Sequence, residues 1–215
     1  MATPDLLQRK LAQGLKTLDL DVSESAQAAA IAYLDLIKKW NAVYNLTAVA
    51  DPAQGITLHL LDSLALLPWL QGPRILDVGS GAGLPGIPLA LARPDLQFVL
   101  LDRTEKKVRF MTQAVIELGL KNVEVVHARV EDYHPSAAFN TVMSRAFAQL
   151  HDMLRLSAHL CVKNGQFLCQ KGARPDQELL KLPPQYDAKE VITLSIPGLD
   201  ARRCLVRLVA KPDNG

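Results

Sequence analysis

The 215 residues suffice for one large domain or a domain with an appendage, and a hydrophobic share of 49% supplies a sizeable core. Charged residues at 21% and a net charge of +2 exclude wholesale disorder. With no apolar run long enough to span a bilayer and no signal-peptide core, a soluble cytoplasmic protein is the expectation.

The charge is uneven. Residues 1–73 hold 5 Lys+Arg against 7 Asp+Glu, or −2, and residues 74–215 balance to +4. A sequence pI near 8.4 is compatible with a nucleic-acid partner without demanding one. Cys161, Cys169 and Cys204 form no C-x-x-C pair and are odd in number, which reads as buried thiols in a reducing compartment. The histidines show no H-E-x-x-H and no Cys/His cluster, so no metal site is expected.

Leu7, Leu11, Leu15 and Leu18 recur at helical spacing and predict an amphipathic helix. Ser23 is a cap for a second helix running to about Tyr44, with Ala30, Leu34, Ile37 and Tyr44 as inward residues. Asp51-Pro52 restarts a helix whose apolar face continues through Ile56, Leu60, Leu64 and Leu67 to Pro68. Residues 1–73 therefore read as a helical cap, and 74–215 as a second unit of alternating strands and helices. Strands are expected at 74–78, 97–102, 123–127, 139–143, 166–171, 189–195 and 203–210, with helices at 85–92, 105–118, 147–160 and 175–181. This alternation predicts an α/β fold with a parallel doubly wound sheet. The last two strands have only a Pro197-Gly198 turn between them and should form an antiparallel edge hairpin. Seven strands ending in a hairpin is the layout of Rossmann-like methyltransferases, a resemblance at the level of fold.

The stretch from Asp77 to Gly86 follows the first of these strands and carries glycine at 79, 81, 83 and 86. It sits where open α/β sheets bind ligands, at the carboxyl end of a strand, with Pro85 expected in the first turn of the next helix. Asp77 with Gly79-Ser80-Gly81-Ala82-Gly83 resembles the S-adenosylmethionine loop of Rossmann-like methyltransferases. The overlapping Gly81-Ala82-Gly83-Leu84-Pro85-Gly86 matches the dinucleotide pattern. The loop thus signals a nucleotide-like cofactor without fixing which one.

Asp102 ends the second strand, where a carboxylate can accept from ribose hydroxyls. Val130 follows the third strand and could cover an adenine face, with Glu131 and Asp132 near its amino edge. Ser144-Arg145-Ala146-Phe147 ends the fourth, facing the reactive part of a cofactor; Arg145 offers a fixed charge and five donors, and Phe147 a stacking face. The Asp/Asn-Pro-Pro-aromatic motif of exocyclic-amine methylation is missing there, and no cysteine is placed as a nucleophile for C5 methylation. A ring nitrogen with an in-plane lone pair needs neither group. Lys106, Lys107, Arg109, Lys171, Arg202 and Arg203 could track phosphates.

The chain resembles the small-subunit ribosomal RNA methyltransferase G family, also called glucose-inhibited division protein B. The resemblance is carried by Trp40-Asn41-Ala42-Val43-Tyr44-Asn45-Leu46-Thr47, His59-Leu60-Leu61-Asp62-Ser63, the Asp77–Pro88 segment, Arg129-Val130-Glu131, Ser144-Arg145-Ala146-Phe147 and Lys171-Gly172. It implies methyl transfer from S-adenosylmethionine to N7 of a guanine in 16S rRNA or the small ribosomal subunit; a monomer with no metal and no membrane partner is the accompanying expectation. It also implies cofactor contacts at Gly79, Leu84, Val130, Glu131 and Arg145, beside the loop residues Asp77, Gly81, Gly83 and Asp102. Asn45, His59, Arg145 and Lys171 are the catalytic candidates, with no essential general base among them. The competing readings are an NAD(P)-dependent oxidoreductase and a non-catalytic RNA-binding protein.

Overall fold

The computed structural model describes residues 3–49 and 51–212. Helix α1 spans Pro4–Thr17 and buries Leu7, Leu11 and Leu15, while Leu18 falls just past its end and is half-buried. Helix α2, Glu24–Tyr44, starts where the Ser23 hydroxyl accepts the Ala26 N–H, and it buries Ala30, Leu34 and Ile37. Tyr44 departs from expectation. It is 38% exposed, because the last turn of α2 runs beyond the core and its ring stacks on Trp40 instead.

Asp51 caps α3, Pro52–Gly55, by accepting the Gln54 N–H. The periodicity predicts one uninterrupted α-helix from there. The chain instead widens into a π-helical stretch, Ile56–Leu61, before the short α4, Asp62–Leu64. Ile56, Leu60 and Leu64 are nonetheless buried, and Leu67 is half-buried.

Seven strands follow: β1 Arg74–Val78, β2 Gln97–Asp102, β3 Val123–His127, β4 Phe139–Arg145, β5 Cys161–Lys171, β6 Tyr186–Leu194 and β7 Arg203–Ala210. They form one sheet in the order β3-β2-β1-β4-β5-β7-β6. The first five strands pair in parallel, and β7 runs antiparallel between β5 and β6. Helices α5 Gly86–Ala92, α6 Glu105–Glu117, α7 Leu150–Ser157 and α8 Asp176–Leu179 complete the chain.

Several expected bounds shift, among them the start of β6, which begins at Tyr186 rather than 189. Strand β5 begins at Cys161 rather than 166, because a register irregularity after Phe139 lets Cys161 pair with it despite the intervening Lys-Asn-Gly. Helix α7 starts only at Leu150: Ala146 takes a positive φ of 53°, and a Glu178 carboxylate oxygen accepts the Leu150 N–H at 2.7 Å to open the helix there. Pro85 stands immediately before α5 rather than inside it.

Burial on both sheet faces explains the near-continuous apolar runs of β1, β2 and β4. Helix α2 packs against α5 and α6, and one buried cluster joins Leu34 and Ile37 of α2 to Ile87, Leu100 and Phe110. The helical segment thus shares a core with one face of the sheet. The parallel strands end together at Val78, Asp102, His127 and Arg145, and the order reverses between β1 and β4, which is where such sheets open a crevice.

Candidate active site

The glycine-rich loop leaves β1 and folds over its end. The Gly79 and Ser80 N–H groups both donate to Leu101 O, at 2.8 and 3.1 Å, tying the loop to β2. The Ser80 hydroxyl donates to Asp77 O at 2.9 Å, and Gly86 N–H donates to the Asp77 carboxylate at 3.0 Å. Gly79 has a φ of +68°, and a Cβ there would stand 2.6 Å from the Phe147 ring. That residue must be glycine both for its backbone and for the close approach of the β4 loop. On the other side, the buried Tyr33 hydroxyl of α2 donates to Ala82 O.

Asp77 is fully buried, and one of its carboxylate oxygens has no partner. Burial pushes its pKa up to about 7, against the opposing effect of the Gly86 and Ser80 hydrogen bonds. Asp102, 5% exposed, accepts Gly81 N–H at 2.9 Å through one oxygen and Thr104 N–H at 2.8 Å through the other. Lys107 Nζ stands 3.9 Å away. So Asp102 fixes the glycine loop as well as ending β2.

A cavity of about 500 Å³ opens along these strand ends. Of the expected cofactor residues, Gly79, Asp102, Val130 and Glu131 line it. Val130 is buried at the start of a short 3-10 turn, and Glu131 is paired to Arg129 at 2.8 Å. Phe147 lines it too. Asp77, Gly81, Gly83, Leu84 and Arg145 do not line the cavity, nor does Asp132. Leu84 packs into the core with Ala82 and Ile87. Arg145 turns toward the helical segment, where Nη1 donates to Leu58 O at 3.2 Å and to the Asp62 carboxylate at 3.3 Å.

Arg203 and Lys171, expected to face RNA phosphates, are engaged inside the molecule. Arg203 Nε donates to Asp62 at 3.0 Å, and Lys171 Nζ donates to Glu178 at 2.8 Å and to Ala148 O at 2.7 Å. Both sit at strand ends beside carboxylates that replace water as their partners, Asp62 buried and Glu178 half-buried. Lys106 remains on the surface, donating to Tyr44 O, and Arg109 pairs with Glu105 one turn away. Asn45 is exposed in a left-handed conformation at the end of α2. His59 is 4% exposed, with Nε2 at 3.0 Å from Val49 O, and burial lowers its pKa, which keeps it neutral.

The cysteines are away from the cavity. Burial pushes Cys161 to about 12 and Cys169 to about 11, and raises Cys204, so none supplies a thiolate at neutral pH.

The model of the family described as GidB, rRNA small subunit methyltransferase G, matches residues 26–206. The chain belongs to the rRNA small subunit methyltransferase G family. The ribosomal RNA small subunit methyltransferase G of Nitrosospira multiformis is 50% identical over 206 residues, covering 93% of this chain and 95% of the relative. That of Laribacter hongkongensis is 48% identical over 202 residues, covering 94% and 98%. Among solved structures, the glycopeptide N-methyltransferase MtfA complexed with S-adenosyl-L-homocysteine superimposes with a TM-score of 0.63 at 11% identity, over 78% of this chain and 90% of that one. This last likeness shows the fold. Family membership makes the chain a methyltransferase and sets aside both the oxidoreductase and the non-catalytic readings.

The sequence assigns no role to Asp62, Tyr33 or Gln170. The available signal for Asp62 was a lone carboxylate inside the apolar run from Leu60 to Leu67. A buried acid needs a partner, but sequence does not name it.

Proposed function

We propose that the protein transfers the methyl group of S-adenosylmethionine to N7 of a guanine in 16S rRNA, acting as a cytoplasmic monomer. In this reading residues 1–73 cap the catalytic unit 74–215.

The residues present fit the cofactor. The cavity has room for a nucleoside, Asp102 can accept from a ribose diol, and Val130 offers an apolar face for a base. Gly79 keeps the loop free of a side chain where it meets Phe147. When bound, S-adenosylmethionine supplies a methyl group already activated on a sulfonium, so no side chain has to generate the leaving group. Guanine N7 has a free lone pair and no proton to lose.

The choice of guanine N7 rests on membership of the rRNA small subunit methyltransferase G family, and the lining of the cavity is compatible with it, since no thiol that could attack a pyrimidine ring is there. Arg145 is permanently charged and cannot take a proton. His59 is buried and does not line the cavity. The work left to the protein is orientation, up to the ~7–11 kcal/mol available from holding reactants in place.

Among the described residues no helix is long and apolar enough to cross a membrane, and no group of three or more His, Cys, Asp or Glu could hold a metal ion. The deciding experiment incubates the protein with labelled S-adenosylmethionine and small-subunit rRNA or particles, then maps the modified atom. Label at guanine N7 supports the reading; label on an exocyclic amine or a ring carbon refutes it.

A further inference from the structure

Asp62 is a buried carboxylate, 2% exposed, that no step of the proposed reaction uses. Three groups converge on it from the ends of three strands. Arg145 of β4 reaches one oxygen at 3.3 Å, and Arg203 of β7 reaches the other at 3.0 Å. Gln170 of β5 donates its amide both to that second oxygen and to the Asp62 carbonyl, each at 2.9 Å. One negative charge therefore holds two guanidiniums, and a side-chain amide fixes its orientation.

The π-helical stretch completes this arrangement. In an α-helix the Asp62 N–H would bond Leu58 O. Here it bonds Thr57 O, one residue further back, and Arg145 Nη1 takes the Leu58 carbonyl. π-Turns inside helices concentrate at functional sites. Arg145 is thus held by two acceptors supplied from one widened turn. Its Nε and Nη2 have no protein partner among the described residues, and about a fifth of the side chain is exposed. The next residues, Ala146, Phe147 and Ala148, line the cavity. Arg145 itself does not line the cavity, but holding it fixes the strand end from which that wall of the cavity runs.

We infer that Asp62 is a positioning residue for methyl transfer, clamping Arg145 from the π-helical turn so that the wall of the cavity formed by the next residues, Ala146, Phe147 and Ala148, is held in place. This rests on the methyltransferase reading above. The helical segment then contributes to the active site itself, and the clamp is the contact through which it does so. Gln170 and Arg203 serve the clamp by preventing the carboxylate from rotating away. A buried carboxylate shared by two arginines is poor at adding stability, since desolvation offsets the attraction, so a geometric use fits its presence better.

The test measures single-turnover methylation of small-subunit particles with tritiated S-adenosylmethionine, both at saturation. Asp62→Asn keeps the shape and removes the charge. The expected result is a rate lower by roughly tenfold to a hundredfold, as a misplacement near 1 Å produces, with the KM for cofactor and for particles changed by less than about threefold. In an Arg145→Gln background the same substitution should lower the rate by less than about twofold, because the guanidinium through which Asp62 acts is gone. An equal loss in both backgrounds, or no loss in the first, overturns the clamp. If Asp62→Asn fails to unfold cooperatively, Gln170→Met is read in the same two backgrounds, since it loosens the carboxylate without changing charge. Here too the clamp requires a slower rate in the first and none in the second, and unchanged rates in both overturn it. The functional reading fails separately, by label on an atom other than guanine N7, and the clamp is still read from the rates in that case.

Discussion

Replacing Asp77 by asparagine should stabilise the ligand-free protein at alkaline pH and remove part of its pH dependence. The carboxyl is fully buried under the glycine loop, one oxygen bonded to Gly86 N–H and the other without a partner. Burial raises its pKa from 3.8 to about 7. The folded value lies above the unfolded one, so the protonated acid stabilises the fold. That contribution is complete below 3.8 and is lost as the pH rises through about 7. The gap corresponds to roughly 4 kcal/mol between the two protonation states. Roughly 3 kcal/mol of it disappears between pH 5 and pH 8. Asparagine keeps an acceptor for Gly86 and never ionises. Urea unfolding of both proteins at intervals from pH 5 to 8 gives the difference directly. His59, lowered by burial, acts in the opposite sense, losing stability as the pH falls below its unfolded value; it is common to both proteins and cancels. The variant should gain on the native protein by roughly 3 kcal/mol across this range. Two curves that stay parallel would refute the argument.

Gly79→Ala should abolish cofactor binding in calorimetry while the protein stays folded, because the new Cβ meets Phe147 at 2.6 Å on a backbone with φ of +68°; native affinity would show that the loop can relax away. Asp102→Ala removes acceptors for Gly81 and Thr104 at the cavity wall, and cofactor binding should weaken by roughly 1.5–3 kcal/mol, the range for hydrogen bonds to a charged group. Tyr33→Phe leaves Ala82 O without its donor and should lower stability by about 1–3 kcal/mol in thermal or urea unfolding; an unchanged midpoint would mean the loop is held elsewhere. Single-turnover methyl transfer should be nearly flat with pH through the neutral range, and a bell-shaped profile abolished by changing His59 would reinstate acid–base catalysis.

The strand pattern was legible because parallel strands covered on both faces must be apolar throughout, and β1, β2 and β4 are. The glycine loop was legible because close backbone approach admits few other residues. Gly79 meets the Phe147 ring in the way such spacing demands. Element ends were less so. Strand β5 is five residues longer at its start than its hydrophobic run, since pairing to Phe139 across an irregularity depends on a neighbour distant in sequence. Helix α7 is shorter than its periodicity, because a glutamate 28 residues away decides where it opens.

By itself the sequence determined the α/β class, the order of strands and helices along the chain, the glycine-rich turn after β1, and, through its motifs, the family. These depend on local chemistry: which residues tolerate positive φ, which faces are apolar, and where acids end strands. The tertiary structure decided which charges reach outward and which are consumed. Arg145, Arg203 and Lys171 look alike in sequence to Lys106, yet the first three are drawn inward to Asp62 and Glu178 while Lys106 stays at the surface. A guanidinium follows the nearest desolvated carboxylate, and that distance is set by packing between segments more than eighty residues apart.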